Sequence, residues 1–154
     1  MSLEKSVMYD MMKSFFEQNV PYAKHTGIEL LEVAEGHGQA RLPDRPETLN
    51  HMGSQHAGAL FTLGEAASGA ASVAIFADKV TSIKAAIADA VIQYKKAARG
   101  TVLAKGRMRR PAPEVLQEFN DKGDVAYTVD VTLENEKGDA VAEMEVGWRV
   151  KSIV

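Results

Sequence analysis

The clearest pattern of apolar and polar positions lies near the C-terminus. Val125, Tyr127, Val129, Val131 and Leu133 alternate with Ala126, Thr128, Asp130, Thr132 and Glu134, and Ala142, Met144, Val146, Trp148 and Val150 alternate with Glu143, Glu145, Gly147 and Arg149. A period of two sends one set of side chains into a core and the other into water, so both runs predict strands of an antiparallel sheet covered on one face. Glu136-Lys137-Gly138-Asp139 turns the chain between them. Shorter runs at 28–35 and 39–43, joined by Glu35-Gly36-His37-Gly38, predict a hairpin. Residues 82–95 and 101–110 predict two more strands on either side of Ala97-Ala98-Arg99-Gly100, although the alanines of the first would also suit a helix.

Helical spacing governs the rest. Over residues 3–18, Val7, Met8, Met11, Met12, Phe15 and Phe16 recur at three- and four-residue intervals before Asn19 and Pro21, which predicts an amphipathic helix with an apolar packing surface. Residues 57–78 are small or apolar on almost every side, with Glu65 the one charge before Asp78. A helix of that kind must be surrounded by protein, and its alanines and glycines let strands come close. Its weak hydrophobicity and internal carboxylate argue against a membrane span. Residues 44–55 read as an irregular connection, and 111–124 as a longer, polar, exposed loop. The order is helix, two strands, buried helix, then four strands in a meander. This predicts one α+β domain over 1–154, with an antiparallel sheet wrapped around a long central helix.

Composition removes several kinds of chemistry. The chain has no cysteine, so disulfides, thiolate metal sites and cysteine nucleophiles are excluded, and a reducing, cytoplasmic setting is expected. A net charge of −3 gives no global attraction to nucleic acid or an anionic membrane. Glu4, Lys5 and Asp10 interrupt the first twelve residues, so no export signal is expected. His25, His37, His51 and His56 lack a zinc spacing, and no metal is expected. No nucleophile-elbow, phosphate-loop or dinucleotide fingerprint occurs.

The informative stretch runs from Asn50 to Glu65. A helix starting near Ala57 presents unpaired backbone N–H groups and the positive end of its dipole, which can hold a developing oxyanion. Glu65 can activate water as a general base or attack a thioester directly. Eight residues separate the two, about 12 Å along a helix, so one chain cannot easily bring both to one carbonyl. Two antiparallel copies of the helix can, and catalysis by these groups predicts a symmetric homodimer with paired interfacial sites, or a dimer of dimers. Asn50 can donate to a carbonyl or orient water. His56 is expected to hydrogen-bond the loop at the helix start rather than to act as acid or base.

Asn50, His56-Ala57-Gly58 and Glu65, with Ala59-Leu60-Phe61-Thr62-Leu63 between them, resemble the signature of PaaI-like hotdog thioesterases and of those 4-hydroxybenzoyl-CoA thioesterases that carry their carboxylate on the central helix. That signature is an Asn, then His-Gly-Gly, then Asp or Glu eight residues past the first glycine. The resemblance extends from Pro21 to the final strands. It implies a hotdog fold and hydrolysis of an acyl-CoA, with CoA as part of the substrate and no separate cofactor. It also implies that the N–H of Ala57, helped by Gly58 and Asn50, polarises the carbonyl while Glu65 activates water or attacks. Two departures stand out: Ala57 replaces the expected glycine, and Ile87 falls where the family often has Ser or Thr. Tyr94-Lys95-Lys96-Ala97-Ala98 resembles the family's aromatic-x-x-Pro-Ala segment with its proline replaced. Lys95, Lys96 and Arg99, with Lys105, Arg107 and Arg109 on one strand face, are candidates for the CoA phosphates; the other reading is a solvated basic face. An acyl-CoA- or lipid-binding module without catalysis is the alternative of a different class, and an enoyl-CoA hydratase a third.

Overall fold

A computed structural model describes residues 2–154. Its axis is a buried helix, α3 (Ala57–Ser72), which passes at Val73 into a 3-10 segment running to Lys79 and kinked at Phe76. The uninterrupted helix expected to residue 78 therefore stops six residues short as α-helix. The stretch Ala57–Lys79 is long and apolar enough to cross a membrane, but most of it is buried inside the protein.

Around α3 curls one six-stranded sheet formed by β1 (Glu29–Val33), β2 (His37–Leu42), β3 (Ile83–Tyr94), β4 (Val102–Met108), β5 (Asp124–Glu134) and β6 (Ala140–Ser152). Its order is β1-β2-β4-β5-β6-β3, antiparallel throughout. His37 and Gly38, expected in the first turn, open β2 instead. Only β4, β5 and β6 form a meander. β3 lies at the far edge beside β6. The chain then returns across the start of α3, where Gln55 N–H donates to Ala98 O (2.7 Å).

Helix and sheet touch almost backbone to backbone on one side. A β-carbon added at Gly38 would lie 2.5 Å from the carbonyl carbon of Ala70, and one at Gly106 would lie 2.7 Å from Ala67 O. Hence β2 and β4 tolerate no side chain where α3 crosses them. Ala40, Leu42, Val102, Ala104, Val129, Val131, Leu133, Met144, Val146 and Val150 fill the remaining inner face.

Three further helices flank the barrel-like body. α1 (Leu3–Asn19) covers β1 with Met8, Tyr9, Met12 and Phe16, while Val7, Met11 and Phe15 face outward. Only half of the apolar positions in this helix pack within the chain. Pro21 does not end helical structure. It occupies the first turn of α2 (Pro21–Thr26), a position where its missing N–H costs nothing. The expected loop at 111–124 is instead helix α4 (Ala112–Lys122), opened by Pro111 and closed by Gly123 at φ 67°. Its buried residues, Val115 and Phe119, sit one turn apart, and Phe119 meets Phe76 edge to face with ring centroids 5.3 Å apart.

Candidate functional site

The site begins at the first turn of α3, whose backbone donors have no partners within the helix. His56 caps it: Nδ1 accepts from the Gly58 N–H at 2.8 Å. That capping bond occupies Gly58, which therefore does not offer the second free donor expected of it. The Ala57 N–H meets no backbone acceptor among the described residues. Asn50 lies in the preceding loop and shapes it. Its Oδ1 accepts from the backbone of Met52 (2.9 Å) and Ser54 (3.2 Å), and its Nδ2 donates to Ser54 Oγ (2.9 Å). One Nδ2 hydrogen is left for anything approaching the helix start.

Along α3 the fully exposed positions, Ala57, Phe61 and Glu65, form a single stripe that half-buried Gly69 continues. These recur every four residues, and both ends of the row meet the β3 edge: Tyr94 reaches Ala57 O, and Trp148, paired with Ile87, lies beside Gly69. Glu65 remains accessible in the single chain, yet enough protein crowds its carboxyl end that burial raises its pKa above the ordinary glutamate value. Burial is the sole cause of that shift; no counter-ion or hydrogen-bond donor among the described residues offsets it. A carboxylate serving only an ion pair within the chain would be shifted the other way.

The basic candidates are scattered. Arg99 borders the Asn50 loop, its Nη1 donating to Met52 O at 3.1 Å. Lys95 and Lys96 follow β3 and pair with Glu143 (3.4 Å) and Asp139 (2.9 Å). Lys105, Arg107 and Arg109 alternate with the inward residues Ala104, Gly106 and Met108, so they project from the outer face of the sheet, away from α3. Arg109 is fully engaged there by Asp130 (2.6 Å) and Glu145 (3.0 Å). Within one chain, strand alternation puts the sheet between Glu65 and the Arg107 and Arg109 expected at the CoA phosphates. No group of His, Asp and Glu placed to hold a metal occurs among the described residues.

Residues 9–150 match the family profile described as "Domain of unknown function (DUF4442)". The chain belongs to the DUF4442 family. No curated protein matches it. Among solved structures, this DUF4442 chain superposes with a TM-score of 0.80 on PA5026 of Pseudomonas aeruginosa, described as a protein of unknown function and probable thioesterase. The two are 23% identical over 93% of this chain and 95% of that one. The PaaI protein of E. coli, from the phenylacetic acid degradation operon, gives 0.70 at 19% identity, covering 97% and 96%. Thioesterase HI1161 of Haemophilus influenzae gives 0.72 at 14%, covering 93% and 90%. The DUF4442 chain thus has the hotdog fold.

Two residues of the candidate site, Gln55 and Trp148, escape a reading of motifs, and a third, Tyr94, enters one only as the aromatic of the 94–98 segment. Gln55 is buried; its side chain donates to Pro43 O (3.1 Å) and Gly100 O (2.9 Å), tying the returning chain to the helix start. Tyr94, at the end of β3, donates to Ala57 O at 2.9 Å and so fixes the open edge to the first turn of α3. Trp148 donates from Nε1 to Ser68 Oγ (3.0 Å), and Ser68 in turn donates to Glu65 O (2.7 Å). A glutamine before a helix is an ordinary sequence, but Tyr94 and Trp148, aromatic strand residues that each carry a polar atom, hold a usable signal of side chains needing a polar partner.

Proposed function

We propose that this protein is an acyl-CoA thioesterase acting as a homodimer, with Glu65 as general base and the Ala57 N–H of the second copy as oxyanion donor. The observation that carries this reading is the unpaired, burial-shifted Glu65 carboxylate on the same accessible stripe as the free Ala57 N–H. The names of the structural neighbours PA5026 and HI1161 support it.

The chemistry is balanced without a metal or redox group. Glu65 takes a proton from water as the water oxygen attacks the thioester carbonyl carbon. The oxyanion accepts from Ala57 N–H of the second copy and, through its remaining hydrogen, from Asn50 Nδ2. Collapse breaks the C–S bond, and the proton on Glu65 passes to the leaving CoA thiolate, giving a carboxylic acid and CoA. Arg99 donates to the loop that leads into the helix start and is the first choice for a CoA phosphate. Setting Glu65 against Ala57 of an antiparallel second helix puts residue 61, midway between them, at the two-fold axis. Phe61 then faces its own copy.

Incubation with a panel of acyl-CoAs and a free-thiol reagent tests the reading. Thiol release by the wild type and a loss of about 10²–10⁴-fold in Glu65→Gln are expected. One observation favours a binding module instead: Ile87 occupies the strand position opposite Trp148 and offers no hydroxyl to orient water. Binding without turnover, equal in wild type and Glu65→Gln, would establish that alternative.

A further inference from the structure

Trp148 is the chain's one tryptophan. It sits on the inner face of β6, paired in register with Ile87 of β3 on one side and Tyr127 of β5 on the other. Its indole overlies Gly69: a β-carbon built on that glycine would lie 3.8 Å from Cζ2 and 4.0 Å from Cη2. The ring is held there through Nε1 by Ser68 Oγ at 3.0 Å, and the same hydroxyl donates to the carbonyl of Glu65. An indole N–H with a buried acceptor fixes the ring's rotation as well as its place. The residue is only half-buried, so part of it remains open to contact.

Gly69 is one turn beyond Glu65, about 6 Å along the helix. The surface between carboxylate and indole therefore carries no side chain of α3. In the opposite direction the stripe is closed by Phe61, which meets its own copy at the two-fold axis if the dimer has the geometry argued above. An acyl group whose carbonyl is held at Glu65 can extend over Gly69, and that direction ends at the indole.

We propose that Trp148, anchored by Ser68 over Gly69, is the end wall of the acyl-binding space and confines the protein to short or compact acyl groups. This rests on the thioesterase reading for the position of the carbonyl, but its principal test does not require turnover. All indole emission of the protein comes from Trp148, so a ligand touching that ring reports itself directly. In Glu65→Gln protein, butyryl-CoA is expected to shift or quench the emission, and free CoA to leave it unchanged. In the wild type, hydrolysis of butyryl-CoA should exceed that of lauroyl-CoA, and Trp148→Ala should move the ratio of their kcat/KM values toward lauroyl-CoA by roughly tenfold or more. Gly69→Ala adds a methyl at ordinary contact distance from the indole, so the fold is kept while the space shortens. It should raise KM for hexanoyl-CoA and leave acetyl-CoA little affected.

Equal emission changes with CoA and butyryl-CoA would overturn the proposal, as would a Trp148→Ala variant that loses activity uniformly across chain lengths. Emission that answers butyryl-CoA alone, in a protein that hydrolyses none of the series, would leave the wall in place and remove the thioesterase reading. Silence in both measurements would remove both.

Discussion

The two edges of the sheet are treated in opposite ways. At β1 the strand is only five residues long, and its register slips between Leu30 and Glu32. Helix α1 lies along it, and Glu17 Oε1 accepts from the backbone N–H of Leu30 at 3.3 Å. Shortness, a bulge and a covering helix are standard ways of blunting an edge. At β3 the strand has twelve residues, no covering element among the described residues, and no fully buried residue on either face. Lys84 and Asp89 are its only charges. A long, alanine-rich edge left bare beside the accessible stripe of α3 is suited to pairing with another copy of itself, whereas the protected edge is suited to ending the sheet.

The most damaging test of this contrast is Ala88→Pro. Ala88 has no register partner on β6, since the ladder skips from Ile87 to Asp89, so a proline there spares much of the internal pairing. It cannot donate to a new ladder at the outer edge. If the proposed dimer pairs through this edge, light scattering after gel filtration is expected to show dimer in the wild type and monomer in the variant, with nearly all of the proposed thiol release lost. A fully active monomer would sink the two-copy site.

A second test uses acidity on the open side. The folded chain holds Glu65 protonated to higher pH than the unfolded chain does. Ionising it therefore costs stability: the penalty is absent below the unfolded pKa and fully present above the folded one. Glu65→Gln should accordingly raise Tm at around pH 8 and not at around pH 4, while removing activity. The wild-type rate should fall on acidification with an apparent pKa above the usual glutamate range. A rate limb at the ordinary value would assign the base to another group.

How much of this was legible from residues alone follows from how local each signal is. β5 and β6 declare themselves because their alternation is a property of neighbouring residues, and α3 because its lack of polar faces demands burial. Asn50, His56, Ala57 and Glu65 were found as a motif. The position of β3 was not legible, because nothing within residues 82–95 says which strand will be its neighbour. α4 was missed for another reason. Val115 and Phe119 at helical spacing, between Pro111 and Gly123, carried the signal, but the charged residues around them resembled a loop. The occupancy of Gly58 N–H by His56 depends on a ring rotation that no spacing encodes.

The smallest effect belongs to the protected edge. Glu17→Ala removes the carboxylate that meets Leu30 N–H and leaves an edge amide without a partner. A bond of 3.3 Å to a part-buried amide should contribute about 0.5–1.5 kcal/mol, nearer the lower figure because of its length. In a domain of this size that corresponds to a fall of roughly 2–4 °C in Tm per kcal/mol. Activity should be unchanged, because α1 and β1 lie across the sheet from β3. The more telling readout is association: with α1 less firmly held, β1 becomes a second available edge, and concentration-dependent oligomers beyond the dimer are expected. If Glu17→Ala stays dimeric at every concentration and loses no stability, β1 is ended by its shortness and bulge, and the helix is incidental to it.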